Sequence, residues 1–180
     1  MHVYSDASCT PAAEGLPKVQ CCCWVTDVAL GKVWGAVVAV PDWVLRSFHR
    51  RATYIAQGEL FGPMLALYWF QAEMRGADLM FFVENLGVLS AAVSGRSTVA
   101  DVNAPLGGLH LWLAELRCSA WWEHVDSKAN PADGGSRVGI ECPLAKSMGI
   151  VLESCAFPEW PDWVEDASPV DWLRIFRSTP

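Results

Sequence analysis

Four acidic residues constrain this chain most: Asp6 in HVYSDAS, Glu59 in YIAQGEL, Glu84 in MFFVENLGVL and Asp133 in SKANPADGGSR. Each stands where an apolar or turn-forming stretch hands over to the next element. A carboxylate buried alone costs on the order of several kcal/mol. A fold that buries the runs around these acids must therefore turn them to water or gather them round a cation. Burial is expected, because hydrophobic residues make up 52% of the 180 positions against 18% charged, and ten tryptophans add large apolar surfaces. That composition fits one domain with a full core and a short appendage.

Several classes are excluded or disfavoured. The longest apolar stretch, from Val28 to Val40, is interrupted by Lys32, so no membrane span and no membrane partner are expected. His2 to Ser8 runs straight into a strand pattern without a signal peptide, and the chain reads as intracellular, cytoplasm and nucleus alike. The seven cysteines are an odd count without CxxC spacing and read as reduced, packed thiols. On a strand, Cys21 and Cys23 would share one face and Cys22 the other. A net charge of −7 speaks against clinging to nucleic acid through bulk charge. It leaves room for a nuclease whose acids are countered by bound cations. The bases are bunched, Arg46, His49, Arg50 and Arg51 together and Lys128 and Arg137 around Asp133, which suits a solvated face and a phosphate track equally.

Residues 2–8, 18–29 and 33–40 read as three strands of an antiparallel meander, with Pro11, Gly15 and Pro17 in the first connection and Gly31 in the second. A short helix or structured loop fits 42–51. Apolar residues then recur at helical spacing from Glu59 to near Gly76, but Pro63 lacks a donor and disfavours a helical Gly62. The regular helix is therefore expected to begin at Pro63, with Glu59 on a preceding turn or beside a kink. Leu79 to Val83 suits a buried central strand, and Glu84 and Asn85 sit where it hands over to a helix over 86–93, with Asn85 as its cap and Gly95 as its stop. Pro105 opens a helix with a Leu106, Leu109, Leu113 and Leu116 stripe. Ala120 to Val125 is expected as the last strand, followed by a loop and a short helical piece over 132–138. The fold class is α/β: a mixed sheet of three antiparallel strands followed by parallel strands, flanked by helices. Residues 1–140 are expected to form this domain and 141–180 a Pro/Trp-rich C-terminal extension, whose Trp160, Trp163 and Trp172 are candidate anchors for another protein.

Acids on a strand, a helix, a strand end and a late helix can converge on hard cations. Mg²⁺ prefers oxygen ligands, and two ions about 3.5–4 Å apart can clamp an in-line phosphoryl displacement. The segments Tyr4-Ser5-Asp6-Ala7-Ser8, Tyr54 to Leu60, Glu84-Asn85 and Ser127 to Asp133 with Ser136-Arg137 resemble the ribonuclease H domains attached to retrotransposon reverse transcriptases, over roughly residues 2–138. The resemblance implies a ribonuclease H-like fold, two Mg²⁺ ions (Mn²⁺ as a substitute) and cleavage of the RNA strand of RNA–DNA hybrids. It implies Asp6 bridging both ions, Glu59 and Glu84 completing one site, and Asp133 holding the ion that positions the attacking water. It also implies the reverse-transcriptase part of a longer polyprotein as a partner. Ser8, Gln57, Asn85 and Arg137 are candidate contacts to the hybrid backbone.

Taken singly, Asp6 reads as a strand-end residue and Asp133 as a helix cap; their joint pattern carries the metal reading. Two positions depart from the family: Glu84, where Asp is usual, and the Gly62-Pro63 pair beside Glu59. The loop from Val125 to Asp133 also lacks the histidine that many cellular members carry, and His124 lies inside a strand. Two alternatives remain open: a catalytically impaired ribonuclease H-like domain that binds nucleic acid or scaffolds a polymerase, and a DNA-directed nuclease of the wider superfamily.

Overall fold

The opening meander forms as the alternation of its residues requires: β1 (His2–Thr10), β2 (Lys18–Asp27) and β3 (Lys32–Val40) pair antiparallel, with Asp6 opposite Cys22 and Cys22 opposite Val37. The computed structural model describes residues 1–158 and 168–177. After α1 (Asp42–Arg46), α2 (Ile55–Trp69) and α3 (Gln71–Met74), the chain returns as β4 (Asp78–Val83), which runs parallel to β1 on the side away from β2. Then come α4 (Leu86–Ser94), α5 (Asn103–Leu116) and β5 (Ser119–His124), the last parallel to β4. The chain continues through α6 (Ala132–Val138), α7 (Pro143–Ser147), β6 (Leu152–Cys155) and α8 (Pro169–Arg177). The six-stranded sheet has the order β5-β4-β1-β2-β3-β6, so the mixed topology is as expected.

Alternation along β2 sorts the adjacent cysteines between two cores. Cys21 and Cys23 enter the larger one with Phe61, Leu65 and Trp112, and Cys22 enters a smaller one with Trp24, Ala132, Cys142 and Leu152. All seven cysteines are free thiols. The leucine stripe of α5 is buried throughout. Asn85 caps α4 by accepting hydrogen bonds from the Gly87 and Val88 amides, and Gly95 ends that helix in the left-handed conformation.

Two features differ from the sequence reading. β6, only four residues long, adds parallel to β3 after the strand that was expected to be last. Its LESC sequence buries only Leu152 fully, too short a pattern to signal a strand. Second, α2 runs unbroken from Ile55 with Pro63 inside it. Pro63 removes only the bond that the Glu59 carbonyl would receive, a local cost of about 3 kcal/mol. Packing outweighs that cost, because every residue of α2 from Gln57 to Tyr68 is buried. Glycines one turn apart make this possible: a Cβ on Gly58 would lie 2.8 Å from Ala7 Cβ, and one on Gly62 would lie 2.6 Å from Ser5 Cβ. The helix therefore lies directly on β1.

Nearer the C-terminus, Trp172 of α8 is buried against the rings of Phe48 and Phe61, at centroid distances of 6.1 and 5.7 Å. It anchors this chain's own core. Trp160 and Trp163 lie outside the described residues.

The glycine seam has a measurable consequence. Gly62→Ala would gain about 1 kcal/mol of helix propensity, but its methyl meets a Cβ fixed to a central strand. Overpacking of that kind costs about 1–3 kcal/mol, so a net loss of stability is expected in urea unfolding, whereas a gain would contradict the seam.

Candidate metal centre

Pairing between β1 and β4 ends at Tyr4 and Phe82. One more repeat of that register sets Glu84, just past the strand, beside Asp6. Beyond that point β1 continues to Thr10 without β4 on its flank. The first carbonyl past the pairing, that of Ser5, is taken up by Asn130 Nδ2 at 2.9 Å. Asn130 Oδ1 in turn accepts from the Ala132 amide at 3.1 Å and starts α6.

The open flank admits acids from both faces of the sheet. Ser5 and Ala7 face α2, which carries Glu59; Asp6 and its cross-strand neighbour Cys22 face α6, which carries Asp133. One oxygen from each of Asp6, Glu84 and Asp133 lies within 4.8 Å of the others. Glu59, buried in α2, approaches from the opposite face, close enough to Asp6 and Glu84 for their charges to act on it. Glycine again permits the approach of α6, because the Cys22 side chain occupies the space that a Cβ on Gly135 would fill.

The acids are held by a small network. The Ser136 hydroxyl donates to Asp6 Oδ2, while Arg137 donates to Asp133 Oδ1 through Nε at 2.9 Å and through its terminal nitrogen at 2.7 Å. The Ser136 carbonyl accepts from Ser8 Oγ at 2.5 Å and from Gln20 Nε2 at 2.8 Å, which ties α6 to β1 and β2. Burial pushes the Asp6 carboxyl above its ordinary range, with the charges of Glu84 and Asp133 adding to the shift and the Ser136 bond opposing it. Burial likewise raises Glu59 to about 9, aided by the charges of Asp6 and Glu84. One buried oxygen of Glu59 and one of Glu84, the Oε2 atoms, have no hydrogen-bond partner.

These residues suit a hard divalent cation. All the donors are carboxylate oxygens, and two of them are buried without a partner. Opposite ligands of an octahedral Mg²⁺ stand about 4.2 Å apart, twice its bond length of about 2.1 Å. Adjacent ligands stand about 3.0 Å apart, so the Asp6, Glu84 and Asp133 oxygens, which lie within 4.8 Å of one another, would have to draw closer to share one ion.

The structure thus gathers three of the four acids singled out in the sequence into one cluster, including Glu84 with its extra methylene, and sets Glu59 beside Asp6 and Glu84 rather than within it. The candidate substrate contacts are placed less uniformly. Arg137 is exposed beside Asp133, and Ser8 is half-buried and bonded to α6. Asn85 uses its Oδ1 as a cap, and Gln57 is buried in α2 with both amide atoms unpartnered. Asn130, Ser136 and Gln20 were not singled out individually. The first two lie inside the SKANPADGGSR motif, whereas nothing local marks Gln20.

The sequence matches no family model and no curated protein. Solved structures do resemble the fold. The N-terminal RNase H domain of a Mycobacterium tuberculosis protein, solved as a fusion with maltose binding protein, aligns with a TM-score of 0.54 at 17% identity, covering 82% of this chain and 96% of that one. RNase H1 from the halophilic archaeon Halobacterium salinarum aligns with a TM-score of 0.50 at 14% identity, covering 73% and 89%. A prototype foamy virus protease–reverse transcriptase aligns at 0.47 and 12% identity over 84% of this chain and 21% of that one, below the level used to infer a shared fold. The chain has a ribonuclease H-like fold.

The raised carboxyls set a pH signature for the metal-free protein. A native Glu59 with a pKa near 9 keeps a proton that the unfolded chain releases near 4.5. Unfolding therefore becomes easier as pH rises from 4.5 to about 9. Glu59→Gln is expected to flatten this slope and raise stability at pH 8 in chelator; urea midpoints across the pH range check it.

Proposed function

We propose that this protein is a metal-dependent endonuclease that cuts the RNA strand of RNA–DNA hybrids, of the kind associated with retroelement reverse transcriptases. One observation carries the reading: Asp6, Glu84 and Asp133 cluster at the open flank of β1, with Glu59 beside them from the other face of the sheet, in a fold similar to that of RNase H domains. The retroelement association rests on the motif around Asp133 with Ser136-Arg137 and on the other matching segments.

Asp6 stands centrally and would touch two ions, with Glu59 and Glu84 completing one site and Asp133 the other. Divalent ions bound there would supply Lewis acidity toward the phosphodiester and a nucleophilic water at neutral pH. The carboxylates would serve as their ligands, Glu59 in its deprotonated form. Arg137, exposed beside Asp133, is the substrate contact that fits best, offering its guanidinium to a phosphate. The ribose 2′-hydroxyl would mark the strand to be cut. With a net charge of −7, affinity for the hybrid rests on these local groups rather than on overall charge.

A second reading, a catalytically impaired domain that binds nucleic acid or scaffolds a polymerase, draws on the Arg137–Asp133 ion pair, which sets a guanidinium on one of the metal-ligand candidates. A labelled hybrid separates the two. Cleavage with Mg²⁺ or Mn²⁺, lost in chelator and reduced roughly a hundredfold or more by Asp133→Asn, is the expected result. Hybrid binding without turnover would favour the second reading, and cutting of duplex DNA with the hybrid left intact would overturn both.

A further inference from the structure

Ser136 is fully buried, and its hydroxyl has one proton with two acceptors in reach. One is the Asp133 carbonyl three residues back, at 2.9 Å, the usual partner of a helical serine. The other is Asp6 Oδ2, which is closer and carries charge. A charged acceptor makes the stronger bond, so the proton goes to Asp6. The peptide of Ser136 is itself held from two strands, since its carbonyl accepts from Ser8 of β1 and Gln20 of β2. Its hydroxyl therefore has little freedom to follow a moving carboxylate. A carboxylate oxygen has two lone-pair directions, so Oδ2 can keep this bond and still face a cation.

We propose that Ser136 is a positioning residue that fixes the rotamer of Asp6 and so presets the metal centre before any ion arrives. This rests on the reading of Asp6 as a metal ligand. It differs from a role in which Ser136 merely fastens α6 to the sheet, because Gln20 shares the fastening without touching a carboxylate. Groups that orient metal ligands in this way typically change metal affinity by about 10–100-fold.

The test is a calorimetric titration of Mn²⁺ into the full chain, with thermal melts in chelator to verify folding. Ser136→Ala is expected to melt cooperatively and bind Mn²⁺ at least about tenfold more weakly than the wild type, while Gln20→Ala keeps wild-type affinity and Ser136→Thr, which retains the hydroxyl, recovers most of the loss. Ser136→Cys, close in volume and a weak donor, runs in parallel and shows the same loss, so that misfolding of the alanine variant leaves the result readable. Wild-type affinity in both the alanine and cysteine variants, or an equal loss in Gln20→Ala, overturns the positioning role while the metal centre stands. A wild type that binds no Mn²⁺ removes the metal centre and the role of Ser136 with it.

Discussion

The early end of β4 is the constraint from which the site follows. Had β4 paired with β1 along its whole length, the sheet would separate its two faces, and a helix on one could not bring a carboxylate to a strand residue facing the other. Because pairing stops at Tyr4, the flank of β1 at Asp6 is open; α6 brings Asp133 to it, and α2 sets Glu59 alongside. Asn130 closes the backbone account at the gap by taking the Ser5 carbonyl. The close packing of both helices on the sheet depends on glycines at Gly58, Gly62 and Gly135.

Gathering four acids in this way works against stability. Desolvation and mutual repulsion raise Asp6 and Glu59. The metal-free chain offsets part of this with the Ser136 hydroxyl on Asp6, the Arg137 guanidinium on Asp133 and a proton retained on Glu59. The guanidinium and the proton stand in for a cation and can give way when one binds, whereas the Ser136 bond can stay on Asp6. A buried cluster left partly unsatisfied is hard to explain as architecture alone, since apolar side chains of similar volume would cost less. It is what a binding site needs.

Much of this was legible in the sequence. The meander was readable because β-branched runs are punctuated by Pro11, Gly15 and Gly31, and the α5 stripe because leucines repeat at helical spacing across Leu106, Leu109, Leu113 and Leu116. The four acids were readable because each sits in a recognisable local setting, Asp6 within a strand, Glu59 in a helix, Glu84 just past a strand and Asp133 in the first turn of a late helix. The misreading of Pro63 has a different origin: a local rule about proline carries no information on Gly58 and Gly62, whose value appears only when β1 lies beneath them. β6 escaped notice because four residues with a single fully buried side chain hold no period. The bonds from Gln20 and Ser136 join residues more than a hundred positions apart, and no local pattern encodes them.

Anomalous diffraction from crystals of the protein grown with Mn²⁺ tests the central claim most directly, because it locates ions without relying on turnover. The account places the anomalous density at the open flank of β1, bounded by Asp6, Glu59, Glu84 and Asp133. Manganese bound elsewhere, with no anomalous density among these four carboxylates, would contradict it.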